Sequence, residues 1–358
     1  MLSFKLYDRT LSTDTIVESL TGRVSKCVFS SKMPGGFAAC EGFVGMPLLE
    51  AEEWYNRLNY RLKISEESTT IWEGRIEEAA VESNNLQVGV AFTAYGYYAN
   101  CRDVPYNTAF NDVASAVIGT VLAANCVQVA TTSHLSATST TINSVAGDDY
   151  TDLYPADLFA KLLGMSSGGP WDFAVWQDRE AWLTQRSVTS ADWYCDSQTL
   201  QNFSCRVALS EMYNQAYALY TVAGATTRTN TASSTNYYGL TRQYAVPDLQ
   251  NTSSTAAEAA RDYILTCKAR AWPEVPRPIV IGKEIYDIYG AARPAYFVRA
   301  GQVIRIRDLF PAASQLAGVS RDRLTTFWIS ETSYDVDRDE LSLTLESPAQ
   351  SLEARLLA

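Results

Sequence analysis

The chain has 358 residues, 47% hydrophobic and only 19% charged, a balance that excludes intrinsic disorder and allows two or more domains with real cores. A net charge of −11 and a pI near 4.8 oppose adhesion to nucleic acid, which needs clustered Lys and Arg to displace counterions. A single histidine, His134, removes most Ser-His-Asp, Cys-His and multi-histidine metal designs, and seven scattered cysteines without a CxxC pair support neither a zinc finger nor a disulfide framework.

No stretch reaches the roughly 18 apolar residues of a membrane span, and "MLSFKLYDRT" has no signal-peptide core. A soluble chain made in a cytoplasm, without membrane insertion, is expected. Neither a Walker loop nor GxGxxG occurs, so no nucleotide chemistry and no cofactor is expected.

Residues 1–104 read mostly as strands. "GRVSKCVFSSK" and "FAACEGFVGM" flank a turn at Pro34-Gly35-Gly36, and Pro47 opens a short helix with Leu48, Ala51, Trp54, Tyr55 and Leu58 on one face. "YRLKI", "IWEGRIEEAAV" and "LQVGVAFTAYGYY" follow, with Leu86, Val88, Val90 and Phe92 alternating. The expectation is a small, mainly antiparallel barrel or sandwich.

Residues 105–200 read as an α+β insertion. One helix is predicted with Phe110, Val113, Ala114, Val117 and Val121 on its face, and a second with Leu158, Phe159, Leu162 and Leu163 before a stop at Gly164. Between them Thr131 to Asp152 has loop composition and makes His134 a solvated loop residue. Strands return at "WDFAVWQDREAWLTQRS", where Trp171, Trp176 and Trp182 interleave with Asp172, Asp178 and Glu180. Such a stretch can form a glycosidase or sugar-binding cleft, but nothing fixes a carboxylate pair at the roughly 5–9.5 Å that hydrolysis needs. A hairpin turning at "QDRE", its aromatics packed on the core or on a partner subunit, is the favoured reading.

Residues 201–358 are β-rich. "CRVALSEMYNQAYALYTVAG" reads as strand and "ATTRTNTASSTNYYGLTRQYAV" as a polar excursion. The best helix lies near 255–271, with a capping box at Thr255 and Glu258 and an end at Trp272-Pro273. The last part, "YFVRAGQVIRIRDLF" and "RLTTFWISETSYDVDRDELSLTLESP", is strand again.

In that last segment Asp335, Asp337 and Asp339 alternate, and Glu346 is the twelfth residue from Asp335, the acidic skeleton of an EF-hand loop. The sixth position, which needs Gly, is Glu340, and both flanks have strand composition. These four acids are therefore only a weak calcium candidate, and "DVDRDE" is better read as a charged hairpin turn. It has a counterpart. In "IWEGRIEEAAVESNNLQVGVAF" and "FWISETSYDVDRDELSLTLESP" a Trp (Trp72, Trp328) opens a polar, acidic strand, a polar turn follows, and an alternating strand closes it: Leu86, Val88 and Val90, or Leu341, Leu343 and Leu345. Trp to first Leu is 14 residues in one and 13 in the other, which points to two copies of one β-domain around a helical insertion.

The "IWEGRIEE" hairpin running into "AYGYYANCRD", the middle "YALYTVAG…TNYYGLTRQY" with "STAAEAARDYIL", and the C-terminal "RAGQVIRIRDL…FWISETSYDVDRDELSLTLESP" together resemble the baseplate hub and tail-tip proteins of tailed bacteriophages and related contractile injection machines. The resemblance covers most of the chain in the family's order. It implies a mainly β protein with two small tube-type antiparallel barrels and a helix-containing insertion, placed in the virion at the tail tip. Three subunits would give six barrels, joining a sixfold tail tube to a threefold tip. Partners implied are the tail tube, distal tail, tip spike or fibre, and tape-measure proteins. DNA would pass without specific binding along an acidic wall, and no catalytic residue is expected. The alternatives are a hexameric distal tail ring protein and, further off, a carbohydrate-binding or glycoside-cleaving tail protein. A secreted adhesin is disfavoured by the missing signal peptide and unpaired cysteines.

Overall fold

A computed structural model describes residues 1–10, 15–83, 88–145, 150, 152–166, 170–186, 190–201, 203–210, 212–222, 224–249, 253–310, 315–316 and 319–347. The protein is mainly β with helix-containing insertions, as its composition and alternation led one to expect.

Seven strands form the N-terminal unit: β1 (Ser3–Tyr7), β2 (Ile16–Ser19), β3 (Val24–Lys32), β4 (Gly35–Gly45), β5 (Arg61–Glu66), β6 (Thr69–Ser83) and β7 (Val88–Tyr95). Their order is β2-β1-β5-β6-β7-β4-β3, every neighbouring pair antiparallel. Alternation sets the faces: Leu62, Ile64, Val90, Phe92 and Ala94 turn inward and are buried. At the β3–β4 turn, Gly36 has φ 93°, and a Cβ there would stand 2.1 Å from the carbonyl oxygen of Val175, so only glycine lets the later strand pass.

The predicted helix after Pro47 is shorter than its pattern. α1 covers Leu48–Glu52, and Glu53–Arg57 tighten into a 3₁₀ turn. Only Ala51 and Trp54 of the expected face are buried, while Leu48, Tyr55 and Leu58 are exposed, because the helix tightens into a 3₁₀ turn before the pattern completes.

In the insertion, α2 (Ala114–Asn125) starts later than its apolar spacing predicts: Asn111–Val113 is extended and pairs with Thr141–Asn143. The Ser/Thr-rich stretch is not a plain loop, since β8 (Ala130–Leu135) lies in it and carries a half-buried His134. Residues 146–149 and 151 of that stretch lie outside the described residues. α3 (Pro155–Gly164) buries Leu158, Phe159, Leu162 and Leu163 as the spacing requires. β9 (Trp171–Val175) and β10 (Glu180–Gln185) form the hairpin turning at Gln177–Arg179. β9 lies parallel to the start of β4, and β10 parallel to β8. These elements pack their own apolar cluster, from Tyr97 to Leu183.

β11 (Trp193–Asp196) and β12 (Arg206–Val207) lead into a second insertion, where β13 (Gln215–Val222) pairs in parallel with β14 (Gln243–Leu249) under α4 (Ser254–Lys268). α4 is capped by Ser253, whose Oγ accepts the Ala256 N–H at 3.2 Å, and not by the expected Thr255. Then follow β15 (Pro273–Glu274), β16 (Ile279–Ile281), β17 (Val303–Arg307), β18 (Thr326–Asp335) and β19 (Glu340–Glu346). Their order is β16-β19-β18-β17, all antiparallel, with β11 parallel to β17 at the end.

One apolar cluster runs through both β units, from Phe4 and Trp72 to Phe327 and Leu345, and it also takes in Trp193 and Cys195 of β11. The N-terminal and C-terminal units thus share a core, and β11, read from the sequence as part of the insertion, packs with the C-terminal unit.

Candidate functional site

The sheet itself is the feature to build from. Against β7, β6 has one bulge, between Ile76 and Glu78, and against β19, β18 has one between Ile329 and Glu331. A bulge puts two residues opposite one and fixes register, so it is a sound anchor for comparing hairpins. With the bulges aligned, Ile76 opposite Ala94 matches Ile329 opposite Leu345, and Glu78 opposite Thr93 matches Glu331 opposite Thr344. Further along, Phe92 matches Leu343 and Val90 matches Leu341, all buried. Across the next pair, Leu62 and Ile64 of β5 match Ile304 and Ile306 of β17, each fully buried. Strand order and direction agree as well: β4-β7-β6-β5 in one unit, β16-β19-β18-β17 in the other.

This register corrects the one drawn from the letters. Trp72 and Trp328 do not occupy equivalent places: Trp328, opposite Glu346, matches Arg75, opposite Tyr95. Leu341, Leu343 and Leu345 match Val90, Phe92 and Ala94, and not Leu86, Val88 and Val90. Leu86 lies outside the described residues, and Val88 is exposed at the strand start. The bulge was the missing signal; it leaves no mark in composition, whereas the two tryptophans invite a false alignment.

The two units are joined edge to edge. Val28–Lys32 of β3 pair antiparallel with Glu331–Asp335 of β18, five residues on each side. Ser31 and Thr332 are buried there with their hydroxyl oxygens 2.7 Å apart, and Ser31 Oγ accepts the Ala300 N–H at 2.8 Å. Phe29 and Tyr334 stack beside them at 5.3 Å between centroids. Arg299 adds a second tie. It packs against the Phe37 and Trp176 rings and donates to Gln177 Oε1 at 2.7 Å and to the Thr70 carbonyl, and burial pushes its guanidinium down to about 10. The Tyr296 hydroxyl donates to Glu66 at 2.7 Å and holds that carboxyl below its usual range.

The face of this sheet opposite the core is acidic. Glu78, Thr93 and Glu41 lie side by side across β6, β7 and β4, and Glu331 lies beside Thr344 and Lys32; Glu41, Glu78 and Glu331 are exposed.

The calcium candidates are not gathered. Asp335 accepts the N–H groups of Asp337 and Arg338 at 3.0 and 3.1 Å, and Asp339 accepts from the Tyr334 hydroxyl. Asp337 accepts the Lys26 N–H at 2.7 Å, so the turn clasps β3. Glu346 lies six residues along β19 from Glu340, about 20 Å at the usual rise, and pairs with Arg186 at 3.3 Å. Among the described residues no group of three His, Cys, Asp or Glu side chains is placed to hold a metal.

The Trp-rich stretch is likewise engaged. Asp172 is buried in a two-bond contact with Arg186, at 2.5 and 3.2 Å, and Arg186 stacks over Trp328 at 4.7 Å. Asp178 pairs with Lys63 at 3.2 Å; Glu180 bonds His134 at 3.1 Å, and that imidazole stacks on Trp182 at 3.7 Å. Trp171 is buried. The Asp178–Lys63 and Arg186–Trp328 contacts tie the insertion to the two β units.

No protein-family model and no curated protein matches the sequence. Solved structures match its fold over nearly the whole chain. A 43 kDa tail protein of prophage MuSo2 from Shewanella oneidensis is 8% identical at a TM-score of 0.62, over 97% of this chain and 98% of that one. A tail protein from Neisseria meningitidis MC58 is 9% identical at 0.60, over 99% of each. A prophage tail protein from Listeria monocytogenes EGD-e is 11% identical at 0.63, over 99% of this chain and 98% of that one. The fold is that of phage tail proteins.

Proposed function

We propose that this chain is a structural protein of a phage-type tail, the hub subunit that joins a sixfold tail tube to a threefold tip and leaves a channel for DNA and the tape-measure protein. The β3–β18 ladder carries this reading: it sets two equivalent β units side by side in one chain, which is the means by which three chains present six equivalent walls. Those units are two tube-type domains, interrupted by the helical insertions. The exposed Glu41, Glu78 and Glu331 supply a wall that repels a passing phosphate backbone. Neighbours in the particle are the tail tube protein, the distal tail protein and the tip spike or fibre proteins, and the chain has a structural and not an enzymatic task.

Stoichiometry tests it. Native mass spectrometry of the assembled protein, or averaging of the tail tip, is expected to show three copies. A six-copy ring favours the distal tail ring protein, whereas a monomer that stays monomeric in the assembled tip removes both readings.

A further inference from the structure

The internal ladder has a mate whose partner is not in the chain. In the C-terminal unit the half of β18 beyond its bulge is paired on both edges, by β19 and by β3. The equivalent half of β6 is paired by β7 alone: β5 runs beside β6 only as far as Arg75, and no other strand among the described residues pairs with Glu78–Val81. Unpaired strand edges are templates for another strand unless something covers them.

The counterpart of β3 in the C-terminal unit can be located. Ile279 opposite Leu343 matches Gly42 opposite Phe92, and five residues back along the chain Glu274, in β15, matches Phe37. Arg206 pairs with Glu274 and Val207 with Pro273, as Ser31 pairs with Phe37 and Lys32 with Gly36. β12 is therefore the end of a second β3, and residues 208–272 are inserted where the first copy makes its tight turn. Among the described residues the edge of β12 away from β15 pairs with no strand. Val207 is exposed.

We propose that Glu78–Ala80 of one chain pairs antiparallel with Cys205–Val207 of a second copy, repeating between chains the β3–β18 ladder found within one. In that register Val207 lies opposite Glu78, and Arg206 opposite Ala79. Because the two edges differ, the contact is head-to-tail and propagates into a ring. This rests on the hub reading and deepens it: three chains then alternate internal and intermolecular ladders around six units.

The test is cysteine cross-linking of the full chain under assembling conditions. Ala79→Cys with Arg206→Cys, in a Cys205→Ser background, places thiols at the positions matching Thr332 and Ser31, whose hydroxyls are 2.7 Å apart. The other native cysteines are buried and stay silent. Copper-phenanthroline oxidation is expected to convert monomers on non-reducing gels into covalent dimers and trimers, and neither single variant does so. Ser31→Cys with Thr332→Cys is the intramolecular control. If the control closes and the Ala79–Arg206 pair does not link, the ladder is wrong. Native mass spectrometry then separates the two ideas: a trimer leaves the hub reading standing on another interface, and a monomer removes that as well.

Discussion

Removing one hydroxyl at the internal seam should cost more than removing two. Ser31 Oγ serves both the Thr332 hydroxyl, 2.7 Å away, and the Ala300 N–H at 2.8 Å, with Ser31 4% and Thr332 5% exposed. Ser31→Ala strands both groups in a buried place. An orphaned buried polar group costs about 1–3 kcal/mol, so the variant should lose about 2–6 kcal/mol. Thr332→Val keeps the shape and leaves Ser31 its bond to Ala300, for a loss of about 1–3 kcal/mol. In the double variant only the Ala300 N–H is orphaned, so it too should lose about 1–3 kcal/mol, making it more stable than Ser31→Ala alone. Urea unfolding followed by tryptophan fluorescence measures all three. Since one apolar cluster spans both β units, each variant should lower the midpoint of a transition common to both units. A Ser31→Ala loss below about 0.5 kcal/mol, or a double variant no better than Ser31→Ala, would refute this account of the seam.

Two further outcomes follow from buried charge. Arg186→Met strips Asp172, 1% exposed, of the guanidinium that holds it and should cost about 3–5 kcal/mol by denaturant titration; Arg186→Met with Asp172→Leu should recover much of that, and no recovery would contradict the ion-pair account. Burial raises the Glu73 carboxyl above its usual range, against the Asp178 N–H, Lys63 and Arg61, which lower it. Its ionisation therefore opposes the fold, and stability is lost as pH rises from the unfolded carboxylate range through the raised value. Glu73→Gln, which can still accept the Asp178 N–H now at 2.9 Å, should raise the melting temperature at neutral pH and leave it unchanged near pH 3; an equal shift at both pH values would show that charge is not the cause.

Much of the local structure was legible because it depends on near neighbours. Leu158, Phe159, Leu162 and Leu163 bury one face of α3, and Leu341, Leu343 and Leu345 bury one face of β19, as spacing alone requires. The hairpin at Gln177–Arg179 and the turn after Asp335 were legible from turn chemistry. His134 was misplaced because Ser and Thr suit exposed strands as well as loops, and only the parallel pairing with β10 decides between them.

The sequence by itself determined that this is a folded, acidic, mainly β chain with a single histidine, and that two hairpins of similar texture lie far apart in it. Tertiary structure alone decided how those hairpins correspond, through one bulge in each. It also decided that β3 joins β18 across about 300 residues of chain, and which half of β6 pairs on one side only among the described residues. The physical reason is that periodicity is read from residues a few positions apart. Strand pairing is made by backbone groups that every residue carries alike, so its partner and register are fixed only when a shared core brings distant segments together.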